Sequence, residues 1–444
     1  MQKKLKIAMV ASCPFPANHG TPGAIRELSL FLRKQGHDIH VVTYPQYEKG
    51  LSVEGLHIHR VESTRFKDDK ITIGPSKSRV VYDYLLIGKL IEVIREHDID
   101  IIHAHNYEAN IAGWVAKLVT RKPLVYNGIN SMADELPTYS VLKPKWFFRF
   151  FGKCLDYTVP RMADASMVLS DELKSYLVDD MGIRARKVFV IPPGVDPALF
   201  ADGNKQVIYD QLNLSPDTPI ILYTGAIEGF QRVDLLVKAM GIVATSIPAA
   251  RLVIACNVNN DKAKTDLMAL AEKHGAKASM IIVDNVSFPQ IPDFLDAATI
   301  TVSPRTSCPG YPIKLLNYMA AGKPIVSFAG SAKALCHGYN GYVAQGEDIN
   351  DFAAGMLLLL SNPPLATALG RRAYETISGN FDWDAIALGT IEIYRQLVEV
   401  GDIDPSRLKG VVKKSYIPEF VEGAELATTD PFLKNGVLTF PQYE

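Results

Sequence analysis

Short apolar runs alternate with longer stretches of helical periodicity along most of this chain. Near the N-terminus, the apolar run Lys6–Ala11 precedes a helical stretch at Ala24–Gln35, and the apolar run Asp38–Tyr44 follows it. Runs of the same kind recur at Ile99–His103, Leu124–Asn127, Ala165–Leu169, Ile220–Thr224, Leu252–Ala255, Met280–Val283, Ile300–Val302 and Ile325–Phe328. Strands that alternate with helices form parallel sheets covered on both faces. Two such series in succession therefore predict two doubly wound α/β domains.

The boundary between the two series is expected at the Pro- and Gly-rich sequence VIPPGVD, residues 190–196. This gives predicted domains at 1–195 and 196–382. Ligands of doubly wound sheets bind at the carboxyl ends of the strands. We therefore expect the two domains to face a central cleft. The tail 401–444 has no clear period, and we expect it to be an appended arm or partly disordered.

Composition and charge agree with a multidomain globular protein. The chain has 444 residues, of which 48% are hydrophobic and 21% charged, a balance that excludes wholesale disorder. Residues 1–200 carry 27 Lys/Arg against 22 Asp/Glu, and residues 201–444 carry 20 against 26. The N-terminal half therefore either faces an anionic partner or shows ordinary scatter in surface charge. The five cysteines are scattered and form no C-x-x-C, which favours a reducing, cytoplasmic location.

Two loops carry candidate chemistry for binding an anion. Gly20–Gly23 (GTPG) lies between the first predicted strand and helix, where glycine admits close backbone approach to a ligand. In the window Ser303–Phe328, a Pro/Gly loop precedes a predicted helix from Ile313 to Ala321, with Lys314 in its first turn. A helix N-terminus beside a lysine suits a diphosphate. The chain has neither G-x-G-x-x-G nor a Walker A sequence, which argues against a nicotinamide-dependent oxidoreductase.

The order of several motifs resembles that of family 4 glycosyltransferases. The motifs are PFPANHGTPGAIRELS, GHDIHVVTY, VIPPGVDPALF, YTGAIEGFQRVDLLVKA, GYPIKLLNYMAAGKPIV and GYNGYVAQGEDINDFA. The resemblance covers residues 5–398 and implies a GT-B fold, in which two Rossmann-like domains face a cleft and a helix at 383–400 crosses back to the first domain. The same order argues against a nucleotide-sugar epimerase.

The resemblance also implies an activity and its partners. It implies retaining transfer of a sugar from a nucleotide-diphosphate sugar, such as a UDP-sugar, to a glycan or lipid-linked acceptor in cell-surface polysaccharide or glycolipid biosynthesis. It implies no metal, no other cofactor and no nucleic-acid partner. The expected catalytic residues are Lys314, Asn317 and Gln231. The expected donor-binding residues are Gly20, Thr21, Gly23, Gly225, Arg305, Gly310, Tyr311, Pro312, Ile313, Leu315 and Ser331. On the acceptor side we expect His105, Asn130 and Glu135.

Five polar positions of the family pattern are replaced in this chain. Pro309 and Asn317 stand where the family has two glutamates, and Ala226 and Gln231 stand where it has Arg and Lys. Ile129 stands at a histidine position. Either the chain is a divergent enzyme in which Lys314 and Arg305 supply the missing positive charge, or it is an inactive GT-B module that binds a nucleotide or sugar, or serves as a partner subunit.

The segment KPKWFFRFFGK, residues 143–153, combines aromatic and basic side chains. Rings beside cations suit the headgroup region of an anionic membrane, and Trp146, Phe147, Arg149 and Phe150 are the expected contacts. This would place the protein peripherally on the inner face of the plasma membrane. The alternative is an amphipathic core helix whose rings pack inward. A second local pattern, His103-Ala104-His105, places two rings on one strand face, as a metal pair, strand-end packing or a cleft contact.

Overall fold

The structure is a computed structural model that describes residues 3–17, 20–62, 77–138, 143–256, 260–308, 310–408, 433–434 and 437–438. It divides into two compact units. The first includes Met1–Gly194 and Trp383–Ser415, and the second includes Val195–Cys308 and Pro312–Asp382.

A parallel sheet forms the centre of each unit. The strands of the first unit are β1 (Lys6–Ala11), β2 (Asp38–Thr43), β3 (His57–Arg60), β4 (Ile101–His105), β5 (Leu124–Gly128), β6 (Ala165–Val168) and β7 (Val188–Val190). Those of the second are β8 (Ile220–Thr224), β9 (Arg251–Ala255), β10 (Met280–Val283), β11 (Ile300–Ser303), β12 (Ile325–Phe328) and β13 (Tyr342–Ala344). A two-stranded antiparallel pair follows at β14 (Leu433–Lys434) and β15 (Val437–Leu438).

Helices connect successive strands and cover both faces of each sheet. In the first unit they are α1 (Gly20–Lys34), α2 (Lys77–His97), α3 (Asn106–Thr120), α4 (Met132–Glu135), α5 (Lys145–Thr158) and α6 (Asp171–Ser175). In the second they are α7 (Lys205–Leu212), α8 (Val233–Ser246), α9 (Asp261–Lys273), α10 (Ile291–Ala297), α11 (Ile313–Ala320), α12 (Ile349–Ser361) and α13 (Pro363–Asn380). The last helix, α14 (Trp383–Glu399), belongs to the first unit.

Both sheets have the doubly wound strand order. The order is β3-β2-β1-β4-β5-β6-β7 in the first unit and β10-β9-β8-β11-β12-β13 in the second, with all neighbours parallel. Each order reverses direction beside its first strand, which is where ligands of such sheets bind. The predicted α/β fold with two doubly wound Rossmann-like units is confirmed.

The two faces of the first sheet build separate apolar cores because successive strand residues point to opposite sides. Ile7 and Met9 of β1 pack with α1 and α14, whereas Ala8 and Val10 pack with α2 and α3. Trp383 at the start of α14 packs on Gly194, where an added Cβ would lie 2.3 Å from the indole. Within the described residues, no single helix is both long and apolar enough to cross a membrane. Only α12 with most of α13 meets that test, as a pair bent by 104°.

The structure corrects the prediction at the start of α1. The sequence predicts a loop through Gly23, but the helix begins at Gly20, so Gly20, Thr21 and Gly23 lie in its first turn. Pro22 is compatible with this position because the first-turn N–H groups have no partner inside the helix. Three short strands of the two sheets, β3, β7 and β13, are also missing from the predicted runs. Most of the predicted tail 401–444 lies outside the described residues.

Candidate functional site

The N-terminal turn of α11 lies against the carboxyl end of β8 in the second unit. Tyr318, buried in the middle of α11, accepts a hydrogen bond from the Thr224 backbone N–H (2.8 Å), and its hydroxyl lies 3.0 Å from Thr224 Oγ1. Residues four apart share a helix face. The attachment of Tyr318 to the end of β8 therefore places Lys314 over the same strand end.

Lys314 is the centre of a compact polar group. Its Nζ donates hydrogen bonds to Tyr223 Oη (2.8 Å) and to Gln231 Oε1 (3.1 Å), and lies 4.1 Å from the centre of the Tyr223 ring. An added Cβ at Gly225 would lie 3.1 Å from this ammonium, and the φ of +115° at that residue also favours glycine. Three predicted residues, Lys314, Gln231 and Gly225, are thus brought together.

The Lys314 side chain ends in a buried environment that disfavours its protonated, positively charged form. Burial, together with the nearby Arg305 guanidinium, lowers the pKa of Lys314 to about 7. Among the residues that the structure describes, no carboxylate contributes to the pKa of this lysine. An ammonium without an acidic partner, at a helix N-terminus, favours an anionic ligand that would supply the missing charge.

Arg305 supplies a second cation at the carboxyl end of β11. Its Nε donates to the backbone carbonyl of Ser307 (2.7 Å), and its guanidinium lies 5.2 Å from the centre of the Phe230 ring. Phe230 itself is exposed and belongs to the same loop as Gln231. The loops after β8 and β11 and the first turn of α11 thus place one exposed aromatic ring and the two cations Lys314 and Arg305 at the carboxyl ends of these strands.

The other predicted donor residues differ in how they are placed. Gly310, Tyr311 and Pro312 lie in the loop before α11, which begins at Ile313, and Asn317 is half-buried on α11 one turn beyond Lys314. Leu315 and Ser331 are fully buried. The Ser331 hydroxyl lies 3.1 Å from Ser327 Oγ and 3.4 Å from Ser303 Oγ. These two side chains therefore occupy the interior, contrary to the expectation that they contact a donor. Pro309 lies outside the described residues.

The sequence did not predict Tyr223 or Phe230 as part of this site. Tyr223 is a buried residue of an apolar strand, and its hydroxyl both donates to the Ala226 carbonyl (2.7 Å) and accepts from Lys314. Nothing in the apolar run distinguishes this tyrosine from a core residue. Its role depends on the fold bringing it to a lysine 91 residues away.

The predicted acceptor-side residues lie at the carboxyl ends of β4 and β5 in the first unit. The Asn130 side-chain amide donates to the Glu135 carboxylate, and His105 ends β4. The centres of the His103 and His105 rings lie 4.2 Å apart, which confirms that the two side chains share a face of the strand. Burial lowers the pKa of His105 to about 3. His105 Nε2 is buried without a hydrogen-bond partner among the described residues. Within the same residues, no third ligand joins this pair to form a metal site.

The aromatic residues of α5 point outward. Trp146 is 72% exposed and Phe150 63%, and Phe147 and Arg149 are exposed as well. The buried positions of this helix are Gly152 and Asp156. The alternative that its rings pack into a core is therefore wrong.

Known proteins resemble this chain along most of its length. A model of group 1 glycosyl transferases matches residues 204–376, and a model of Glycosyltransferase Family 4 matches residues 20–199. D-inositol 3-phosphate glycosyltransferase 2 of Catenulispora acidiphila is 27% identical over 317 residues, which cover 68% of this chain and 71% of that protein.

Solved structures show the same fold. Sucrose-phosphate synthase from Thermosynechococcus elongatus matches with a TM-score of 0.75 at 19% identity, over 89% of this chain and 99% of that one. Anabaena HepE, solved in complex with UDP-glucose, matches with a TM-score of 0.68 at 14% identity, over 88% of this chain and 100% of that one.

Two doubly wound units with this likeness define a glycosyltransferase of the GT-B class. More particularly, the chain belongs to glycosyltransferase family 4, whose models match both of its units, and it is a glycosyl-transfer enzyme. The resemblance that the sequence motifs carry is thereby confirmed.

Proposed function

We propose that this enzyme transfers a sugar from a nucleotide-diphosphate sugar to a glycan or lipid-linked acceptor, with retention of configuration and without a metal or other cofactor. The observation that carries the proposal is the Lys314 ammonium, which lies at the N-terminus of α11 beside Gln231 and Arg305 and has no carboxylate partner in the described part of the chain. UDP is the proposed nucleotide, since a structure with this fold holds UDP-glucose. Synthesis of a cell-surface polysaccharide or glycolipid is the proposed setting.

The chemistry requires stabilisation of charge on the leaving group. The bond from the anomeric carbon to the diphosphate oxygen breaks, and the electron pair leaves with the diphosphate. The acceptor oxygen bonds to the anomeric carbon, and its proton passes to the departing phosphate oxygen. Lys314, the first-turn N–H groups of α11 and Arg305 would hold the growing negative charge. Asn317 would hydrogen-bond a ribose hydroxyl. In this scheme Lys314 and Arg305 provide the positive charge that the family's Arg and Lys would supply at positions 226 and 231. No carboxylate is required at positions 309 and 317, where the family has glutamates.

Nucleotide sugars are expected to stabilise the protein against heat, and UMP much less. At about 100 times the dissociation constant, a ligand adds about 2.7 kcal/mol, which corresponds to a rise of about 5 °C or more in Tm for a unit of this size. UMP tests the site because it lacks the second phosphate that α11 and Lys314 would bind. A panel of nucleotide sugars, read by thermal shift, measures this.

Two results of that panel would contradict the proposal. If no nucleotide sugar raises Tm, the chain is not a donor-binding enzyme of this kind. If a nucleotide sugar raises Tm but none of the acceptors tested leads to release of its nucleoside diphosphate, the chain is a binding module. Proton NMR of the product decides retention from inversion at the anomeric carbon.

We further propose that α5 brings the enzyme to an anionic membrane, on the inner face of the plasma membrane. Its exposed rings, Trp146, Phe147 and Phe150, stand beside Arg149 and the exposed Lys145. Aromatic rings at headgroup depth with cations against anionic lipid are the physical basis of interfacial binding. A membrane-bound acceptor would then be concentrated near the enzyme.

The full-length protein is expected to co-sediment with vesicles that contain phosphatidylglycerol and less with neutral phosphatidylcholine vesicles. The double variant Trp146→Ser/Phe150→Ser should bind at least about 10-fold more weakly, because two rings no longer leave water. Tyr84→Ser is the matched control, since Tyr84 is a 75% exposed ring on α2 of the same unit. Failure to bind anionic vesicles at low salt, or equal binding by the double variant, would refute membrane attachment through α5.

A further inference from the structure

Four histidines and an aspartate gather at one edge of the first sheet. His40 and Asp38 lie on β2, and His57 and His59 lie on the edge strand β3. His97 is the last residue of α2. The parallel register pairs His40 with His57 and Val42 with His59. Alternate residues of a strand share a face, so these rings point to the side of the sheet that α2 covers.

The rings are close enough to share one ion. His40 Nδ1 and His59 Nε2 lie 3.0 Å apart, and the centres of the His40 and His97 rings lie 4.5 Å apart. One nitrogen from each of His40, His59 and His97 lies within 4.8 Å of the others. Zinc binds imidazole nitrogen at about 2.0–2.1 Å, so two ligands of a tetrahedral site lie about 3.3 Å apart. The His40–His59 separation is already close to that value.

Nearby groups hold these rings and the end of α2 in position. Asp38 Oδ1 lies 3.2 Å from His57 Nε2 and 3.8 Å from His40 Nε2, the ring nitrogen of His40 that faces away from His59. A carboxylate behind a ligating histidine fixes the orientation of its ring. The Lys6 ammonium donates to the His97 carbonyl (2.9 Å), which fastens the end of α2 to β1.

We propose that His40, His59 and His97 bind a divalent zinc ion at this edge of the sheet. Three imidazoles are a ligand set for zinc or another late first-row divalent ion rather than for Mg²⁺ or Ca²⁺, which take oxygen ligands. The fourth position is left to water. All four histidines belong to the first unit, and none of them is among the residues assigned to the donor site.

The ion would act as a cross-link between secondary elements. It would join β2, the edge strand β3 and the C-terminal end of α2, which are otherwise joined by one ladder and by side-chain packing. The sequence does not predict this site because its ligands come from three elements and form no local metal-binding motif. The pair His103 and His105, which is recognisable in the sequence, lies outside it.

The test uses the full-length protein after treatment with EDTA and removal of the chelator. Isothermal titration with Zn²⁺ is expected to show one site per chain with a Kd of about 1 μM or lower. Co²⁺, used as a coloured substitute, should give visible absorption that Zn²⁺ displaces. Loss of even an outer partner of a ligating histidine costs about 10–100-fold in metal affinity. We therefore expect His40→Ala or His59→Gln to weaken Zn²⁺ binding at least about 100-fold.

His274→Ala is the matched control, since His274 is an exposed histidine of the second unit, outside the cluster. It should bind Zn²⁺ as the parent protein does. Melting in EDTA shows whether His40→Ala folds, and His59→Gln, at a half-buried position on an edge strand, provides a second variant. No Zn²⁺ uptake by the parent protein, or unchanged uptake by a folded His59→Gln variant, would overturn the proposal.

Discussion

Replacement of Lys314 by methionine is expected to lower kcat/KM for sugar transfer by about 10²–10³-fold, the loss typical when one charge-stabilising donor is removed from an active site. Methionine keeps most of the side-chain volume and removes the charge. The two hydrogen bonds to Tyr223 and Gln231 are lost, but the Tyr223 hydroxyl still donates to the Ala226 carbonyl. Initial rates with the nucleotide sugar identified by thermal shift measure the effect.

A matched control and a compensating variant separate charge from packing. Lys238→Met removes a lysine of α8 whose nearest carboxylate, Asp234, is 3.9 Å away, and it should leave kcat/KM unchanged. Gln231 stands where the family has a lysine and lies 3.1 Å from the Lys314 ammonium. Adding Gln231→Lys to Lys314→Met should therefore restore at least about 10-fold of the lost activity. Full activity in Lys314→Met alone would remove this lysine from the mechanism.

The affinity for the donor should also depend on pH through Lys314. Its pKa of about 7 in the free protein rises when a diphosphate binds, because the ligand favours the charged ammonium. Below pH 7 the lysine is charged in both states and affinity is constant. Above pH 7 the free protein loses the proton that the complex retains, so Kd should rise by about tenfold per pH unit up to the pKa in the complex. The diphosphate of a nucleotide sugar does not itself titrate here, and Lys314→Met should remove the slope.

The strands were predictable where burial on both faces leaves a continuous apolar run. β1, β8 and β12 have the predicted bounds, and both units are built on such runs. The edge strand β10 also has the predicted bounds, because its sequence MIIV is apolar although it is only partly buried. β3 has the sequence HIHR, which carries no apolar run because an edge strand is covered on fewer sides. The same strand carries His59, one of the three ligands of the proposed zinc site.

The candidate site was predictable only in part. Lys314 could be identified because a Pro/Gly loop before a helix marks an N-terminus, and its sequence position alone places it there. Its partner Tyr223 is indistinguishable from core residues in the sequence. For α5, the pattern of rings and cations fitted both an inward and an outward orientation. The outward orientation follows from Gly152 and Asp156, the buried positions on the inner face of α5. An added Cβ at Gly152 would lie 2.4 Å from the Met132 carbonyl. Because neither residue is apolar, the hydrophobic pattern does not reveal which face of the helix is buried.

Asp156 is expected to be a large contributor to the stability of the first unit. Its buried carboxylate accepts hydrogen bonds from the backbone N–H groups of Met132 (2.8 Å) and Ala133 (3.1 Å), and from the hydroxyls of Tyr107 and Tyr176. These donors come from α3, α4 and the segment after α6. The carboxylate therefore holds three parts of the first unit against the inner face of α5.

Asp156→Ala should lower the free energy of unfolding of the first unit by about 3–5 kcal/mol, because four donors, three of them buried, lose their acceptor at once. Asp156→Asn, which keeps one acceptor oxygen, should lose less. Asp179→Ala removes an exposed carboxylate and should change the value by less than about 0.5 kcal/mol. All three tryptophans, Trp114, Trp146 and Trp383, lie in the first unit, so urea unfolding followed by tryptophan fluorescence reports on that unit separately. Equal midpoints for Asp156→Ala and Asp179→Ala would show that the network does not hold α5, and the outward face of its rings would then need another cause.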